Sequence, residues 1–118
     1  MKATWQKLQK QCDILYQKVG LKDNPKCEVC GEIAEVIHHF IPKSLSSYLR
    51  YSKENGVPIC NECHSKVHFQ DPHINAMIIF KRGKEWELSL NSLRDRQVIG
   101  ARTNAYYQKI KEDLENEL

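Results

Sequence analysis

Four of the five cysteines and four of the five histidines fall within residues 27–68. They are Cys27 and Cys30, the pair His38-His39, then Cys60 and Cys63-His64, then His68, with Asn55 placed between the two groups. Thiolates are soft ligands, and two CxxC pairs can close a tetrahedron around one zinc ion. The pairs here are Cys27-x-x-Cys30 and Cys60-x-x-Cys63, 29 residues apart. A mixed site borrowing His38 or His64 is the rival arrangement. Four sulfurs already complete the tetrahedron, however, and leave the imidazoles free for other work. A neutral histidine can take a proton from water near neutral pH, and histidines can also hold a divalent ion that polarises a phosphate. Asparagine offers both a donor and an acceptor with which to orient such a base.

These residues need elements to aim them. Residues 33–41 are rich in β-formers and predict a strand with His38 and His39 near its end. Neighbours on a strand face opposite sides, so one of the two can face a metal while the other faces an attacking water. Gly56–Ile59 predicts a second short strand, and 61–69 a helix with His64 and His68 one turn apart on one face. Between the strands, 42–55 reads as a polar connection with a helical turn near Leu45 to Arg50. Gly31 supplies the backbone freedom that the turn after Cys30 needs.

The flanks read as helical. Trp5, Leu8, Cys12, Leu15 and Val19 recur at helical spacing over residues 3–19, and Gly20 is expected to close that run. Cys12 lies on the apolar stripe and is expected to be a buried, unligated thiol. Asp71-Pro72 is a strong helix start, predicting a helix over 72–82 stopped by Gly83. A hairpin is the alternative there, because Trp86, Leu88 and Leu90 alternate. Thr103 can cap a last helix, and His73 is expected to be exposed. The expectation is one α+β domain over 1–118: an N-terminal helix (1–22), a core (26–70) and a helical extension (71–118).

Composition narrows the setting. The chain has 118 residues, 28% of them charged, with no apolar run near the roughly 20 residues of a membrane span. Trp5, Gln6, Lys7 and Gln9, with no apolar stretch behind them, argue against a signal peptide. Paired CxxC motifs without a secretory signal favour metal over disulfides and a reducing, cytoplasmic compartment. Net charge is +3. Residues 111–118 hold one lysine and four acids, and setting them aside leaves 17 basic against 11 acidic residues. A basic body suits a polyanionic partner.

The stretch resembles an HNH endonuclease of the ββα-metal (His-Me finger) superfamily with an added four-cysteine zinc. The resemblance rests on Cys27-x-x-Cys30, His38-His39-Phe40-Ile41-Pro42, Asn55, and Cys60-x-x-Cys63-His64-x-x-x-His68. It implies a small, treble-clef-like ββα-metal core with a structural Zn2+ on Cys27, Cys30, Cys60 and Cys63. His39 would be the general base and Asn55 the residue orienting the base loop. His38, His64 and His68 would hold a catalytic divalent ion. Histidine at position 38, where many relatives have aspartate, leaves the site neutral. Mn2+, Ni2+ or Zn2+ then become compatible alongside Mg2+. The resemblance further implies DNA as partner, contacted mostly at its backbone, with Lys43, Arg50, Lys53 and Lys66 as candidate phosphate contacts. Two-strand cleavage would favour a homodimer. Leu49-Arg50-Tyr51 and Lys81-Arg82-Gly83-Lys84-Glu85-Trp86 are similar to phage recombination endonucleases of the NinG/Rap type, which act on branched DNA. Cys63-His64 stands where that group tends to have Cys-Asn. The alternative reading is a zinc-bound treble-clef module that binds nucleic acid without cutting it.

Overall fold

The computed structural model describes residues 4–98 and 100–118; Ala3, where the sequence periodicity begins its first helix, lies outside them. Helix α1 (Thr4–Asp23) is followed by strand β1 (Val36–His39), a single 3-10 turn (Lys53–Asn55) and strand β2 (Gly56–Ile59). Helices α2 (Asn61–His68), α3 (Pro72–Arg82), α4 (Lys84–Leu93) and α5 (Asn104–Asn116) complete the order. The strands pair antiparallel, with His38 opposite Val57 and His39 opposite Gly56. With α2 they form a ββα unit in a mixed α+β fold. No described helix is long and apolar enough to cross a membrane.

Two apolar clusters flank the hairpin. On one side Leu8, Cys12, Tyr16 and Val19 of α1 pack with Tyr107 and Leu114 of α5 and with Ile37. On the other, Val57 and Ile59 of β2 pack with Cys27, Cys60 and Cys63 and with Ile74 and Ile78 of α3. Each buried side chain of this size contributes roughly 1.5–3 kcal/mol, so the short hairpin is held mainly by what covers it. Cys12 is fully buried, and its Sγ donates to the Tyr107 carbonyl at 3.3 Å. Burial, with the Asp13 carboxylate beside it, pushes this thiol up to about 11, the behaviour of a structural rather than a reactive cysteine.

The helix-start signals hold. The Asp71 side chain accepts from the His73 amide at 2.9 Å, Pro72 occupies the first turn, and Thr103 accepts from the Tyr106 amide at 3.3 Å. Gly83, at φ 98°, separates α3 from α4, so residues 72–93 form two helices and not a hairpin. His73 is exposed.

Three expectations need correction. Helix α1 does not stop at Gly20 but runs to Asp23. Gly20 is instead the point where helix meets strand: a Cβ there would lie 2.5 Å from Ile37 Cγ1. The first strand spans only 36–39 and not 33–41. The backbone of Ile41 is taken by the Asn55 side chain, and Ile33 makes only an isolated bridge to Lys26. Residues 45–50 form a series of tight turns rather than a helical one. Ser46 Oγ accepts from the Leu49 amide at 3.2 Å, a local bond that competes with helix.

Candidate active site

The sulfur centre is built at the open end of the hairpin, where the chain enters β1 and leaves β2. In the first knuckle the Cys27 amide donates to the Glu32 carbonyl at 2.6 Å, and Gly31, at φ 81°, makes the reversal. The second knuckle is the N-terminus of α2, where Cys60 is the cap and its Sγ accepts from the Cys63 amide at 3.4 Å. Cys30 N stands 3.5 Å from Cys27 Sγ in the matching position. All four Sγ atoms lie within 4.8 Å of one another, and Cys30 and Cys60 are 3.6 Å apart. A tetrahedron with Zn–S bonds of about 2.3 Å needs edges of about 3.8 Å. The set therefore fits a structural zinc. Burial raises Cys27, but the amides of Cys30, Cys60 and Val29 outweigh it and bring the thiol down to about 7. That is the direction a thiolate ligand requires, while burial and the three neighbouring cysteines push Cys63 the other way. No other group of three or more ligand side chains is gathered this tightly among the described residues.

The imidazoles occupy the neighbouring groove. His38, His39, His64 and His68 line it together with Gln17, Pro42, Lys43 and Val67, enclosing about 570 Å³. A larger hollow of about 800 Å³ lies between Tyr48–Glu54, α4 and α5. It contains none of the histidines, so chemistry rather than size selects the groove. On β1, His38 faces α2, with its ring 5.6 Å from that of His64, which is in turn 4.4 Å from His68. His38 Nε2 is buried and has no hydrogen-bond partner. Burial, then the neighbouring His64, His39 and His68, lowers His38 to about 4. Burial and His68 lower His64 also. Unprotonated imidazoles with an unpartnered buried nitrogen are the donor set a divalent ion needs. Their ring nitrogens are nevertheless not drawn together as closely as the four sulfurs.

His39 faces the other way, toward α1. Its ring stacks on Tyr16 at 5.1 Å, and its Nε2 lies 2.8 Å from the Arg50 carbonyl. A carbonyl can only accept, so Nε2 carries the hydrogen and Nδ1 keeps the lone pair. Burial holds His39 below the usual histidine range, opposed by the hydrogen bond to the Arg50 carbonyl.

Asn55 is fully buried and ties off the loop between them. Its Oδ1 accepts from the Ile41 amide at 2.7 Å, and its Nδ2 donates to the Ile41 carbonyl at 2.9 Å and the Leu49 carbonyl at 3.3 Å. One carboxamide thus closes the 41–49 loop, whose continuation presents the Arg50 carbonyl to His39.

The four candidate phosphate contacts have different surroundings. Lys43 is exposed and lines the histidine groove. Lys66 is exposed on α2 with Glu62 at 3.8 Å. Lys53 pairs with Glu117. Arg50 points inward, in a two-pronged pair with Asp13: Nε to Oδ1 at 3.0 Å and Nη2 to Oδ2 at 2.7 Å.

Three residues of α1 belong to this environment although the sequence reading passed over them. Gln17 lies along the edge of β1, donating to the Ile37 carbonyl at 2.9 Å and accepting from its amide at 2.7 Å. Ile37 sits at the position of the antiparallel ladder whose amide and carbonyl point away from β2, so both go to the helix side chain. Tyr16 donates to the Ser52 carbonyl at 2.7 Å, and Asp13 holds Arg50 and accepts from Tyr51 Oη at 2.8 Å. Their signal was present as a second helical stripe, Gln9, Asp13, Tyr16, Gln17 and Gly20, beside the apolar one.

The order of these pieces, from the first knuckle through the paired histidines and buried asparagine to the ββα helix, is matched by a known family. Residues 27–70 match the HNH endonuclease family. The HNH segment thus contains both knuckles, the four groove histidines and Asn55, and excludes α1 and α3–α5. A mitochondrial DNA mismatch repair protein mutS homolog of Sarcophyton glaucum is 41% identical over 46 residues, covering 36% of this chain and 5% of the relative. The chain spans only that small fraction of the relative's length. No solved structure matches.

Proposed function

We propose that this protein is a metal-dependent DNA endonuclease that hydrolyses phosphodiester bonds with His39 as general base. The observation that carries the reading is the divergence of two neighbours in the HNH segment. His38 offers an unpartnered nitrogen beside His64, while His39 is held through Nε2 with its Nδ1 lone pair free. The segment belongs to a nuclease family, and the matched relative is named for DNA mismatch repair, which agrees with a DNA substrate.

In this reading His38 and His64, with His68 as a further ligand, hold a divalent ion. When bound, it supplies positive charge to the scissile phosphate and to the departing 3′ oxygen. His39 Nδ1 takes a proton from the attacking water, and the ring is kept in orientation by the Arg50 carbonyl and by Tyr16 beneath it. Asn55 keeps that carbonyl in place by closing the loop before it. Lys43 and Lys66 are the proposed phosphate contacts. Lys53 could join them by releasing Glu117, whereas the Arg50 guanidinium is already engaged by Asp13. Products would carry 5′-phosphate and 3′-hydroxyl ends. The all-histidine donor set suits Mn2+, Ni2+ or Zn2+ as well as Mg2+. Cysteines reserved for metal suit a reducing, cytoplasmic compartment.

A plasmid-nicking assay with each of these four ions, on wild type and His39→Ala, tests the reading. The variant should keep its zinc and its DNA binding and lose roughly a hundredfold or more in rate. A wild-type protein that binds DNA and never cuts it with any ion would instead be a non-catalytic zinc module. Adding nicked and four-way-junction DNA to the panel tests the finer reading, a role in phage recombination. Gel filtration tests whether two copies act together.

A further inference from the structure

Helix α1 lies outside the HNH segment, yet it reaches the base histidine through a chain of specific contacts. Arg50 is the shared member. Its carbonyl oxygen takes the His39 Nε2 hydrogen at 2.8 Å, and its guanidinium is clamped by both oxygens of Asp13 at 3.0 and 2.7 Å. The side chains of this pair are 18% and 30% exposed, so water competes weakly for them. Planar two-pronged pairing fixes direction as well as distance. Tyr51, the next residue, donates from Oη to Asp13 Oδ1 at 2.8 Å, so one carboxylate fastens two successive loop residues. One helical turn on, Tyr16 places its ring under His39 and donates to the Ser52 carbonyl at 2.7 Å. Residues 50, 51 and 52 are thus each tied to α1.

We infer that Asp13 and Arg50 are positioning residues for the proposed hydrolysis. Together they fix the loop carbonyl that selects the Nε2–H form of His39 and leaves Nδ1 to face the water. Asn55 closes the loop from inside the HNH segment, and Asp13 fastens its end from outside. The segment alone would then hold the loop's beginning but not the carbonyl that aims the base. On this view Arg50 works inward through its carbonyl and guanidinium instead of contacting phosphate.

The inference rests on reading His39 as the base, so its test has one readout independent of cutting. Nitrogen NMR of 15N-histidine-labelled, zinc-loaded protein reports which ring nitrogen of His39 carries the hydrogen. Wild type should show protonated Nε2. Asp13→Asn and Arg50→Lys should move the signal toward a mixture of the two forms, with zinc content and DNA binding retained. In the nicking assay both variants should lose roughly tenfold to a hundredfold in kcat, as expected for a misplaced catalytic group, with KM little changed. Arg50→Lys keeps the charge and loses the fork, and so provides a second variant if Asp13→Asn folds poorly. A wild-type spectrum with the hydrogen on Nδ1 would overturn the inference. So would variants whose His39 signal and kcat both stay at wild-type values. If wild type cuts nothing, the proposed activity fails, and the NMR comparison alone still decides whether Asp13 and Arg50 set the ring.

Discussion

Cys63 and His64, consecutive residues in the first turn of α2, face two different centres. The sulfur of Cys63 joins the four-thiol cluster, and the ring of His64 lies 5.6 Å from His38 in the histidine groove. Adjacent helical residues point about 100° apart, so one short helix can belong to both sites. The cost of this economy is coupling: a disturbance of the sulfur centre must also move His64.

The first expected outcome follows directly. Cys60 caps α2 and belongs to the thiol cluster. A structural zinc in a small domain contributes on the order of 10 kcal/mol, comparable with the roughly 5–15 kcal/mol that holds a whole domain folded. Cys60→Ser should therefore lose both zinc and the folded state, seen by metal analysis and by circular dichroism. A stable, zinc-free Cys60→Ser protein would show that the sulfur centre does not hold the fold.

Asn55 should matter for stability as well as for aim. Asn55→Ala leaves the Ile41 amide and the Ile41 and Leu49 carbonyls without the partners they have in a fully buried site. An unsatisfied buried group costs about 1–3 kcal/mol, so the total should reach roughly 3 kcal/mol in denaturant unfolding. Zinc should remain bound, because neither knuckle touches this side chain. A change below about 0.5 kcal/mol, the range of ordinary surface substitutions, would mean that the loop is closed by something else.

Gly20→Ala sets two effects against each other. Alanine is favoured over glycine inside a helix by about 1 kcal/mol. Here the added Cβ would lie 2.5 Å from Ile37 Cγ1 and 2.8 Å from its Cδ1, and Ile37 is only 4% exposed. Overpacking of this kind costs about 1–3 kcal/mol, so the variant should melt lower than wild type. Because Ile37 precedes His38, nicking should weaken too. A higher melting temperature would show that β1 and α1 can separate freely at this contact.

Parts of the fold legible in the sequence share one property: their partners are close along the chain. Asp71 caps α3 by bonding a backbone amide two residues on, and Thr103 caps α5 three residues on. Each CxxC pair is a local turn, and the order of cysteine, histidine and asparagine was enough to anticipate the HNH segment. The strand ends and the run of α1 past Gly20 were not legible in this way. Each depends on a distant group that captures the backbone or fills the space, as Asn55 does at Ile41 and Ile37 does at Gly20.

The sequence by itself pointed to the four-thiol set, because coordination chemistry dictates residue type and spacing before any fold is known. It also separated sulfur from imidazole. Only the tertiary structure decided which way His39 faces, what holds it there, and that Arg50 turns toward Asp13, 37 residues earlier in the chain. The physical reason is that a polar residue on a helix carries little meaning until the helix docks. Asp13 and Tyr16 belong to no motif along the chain, and only when α1 lies across β1 do they reach Arg50, Ser52 and the ring of His39.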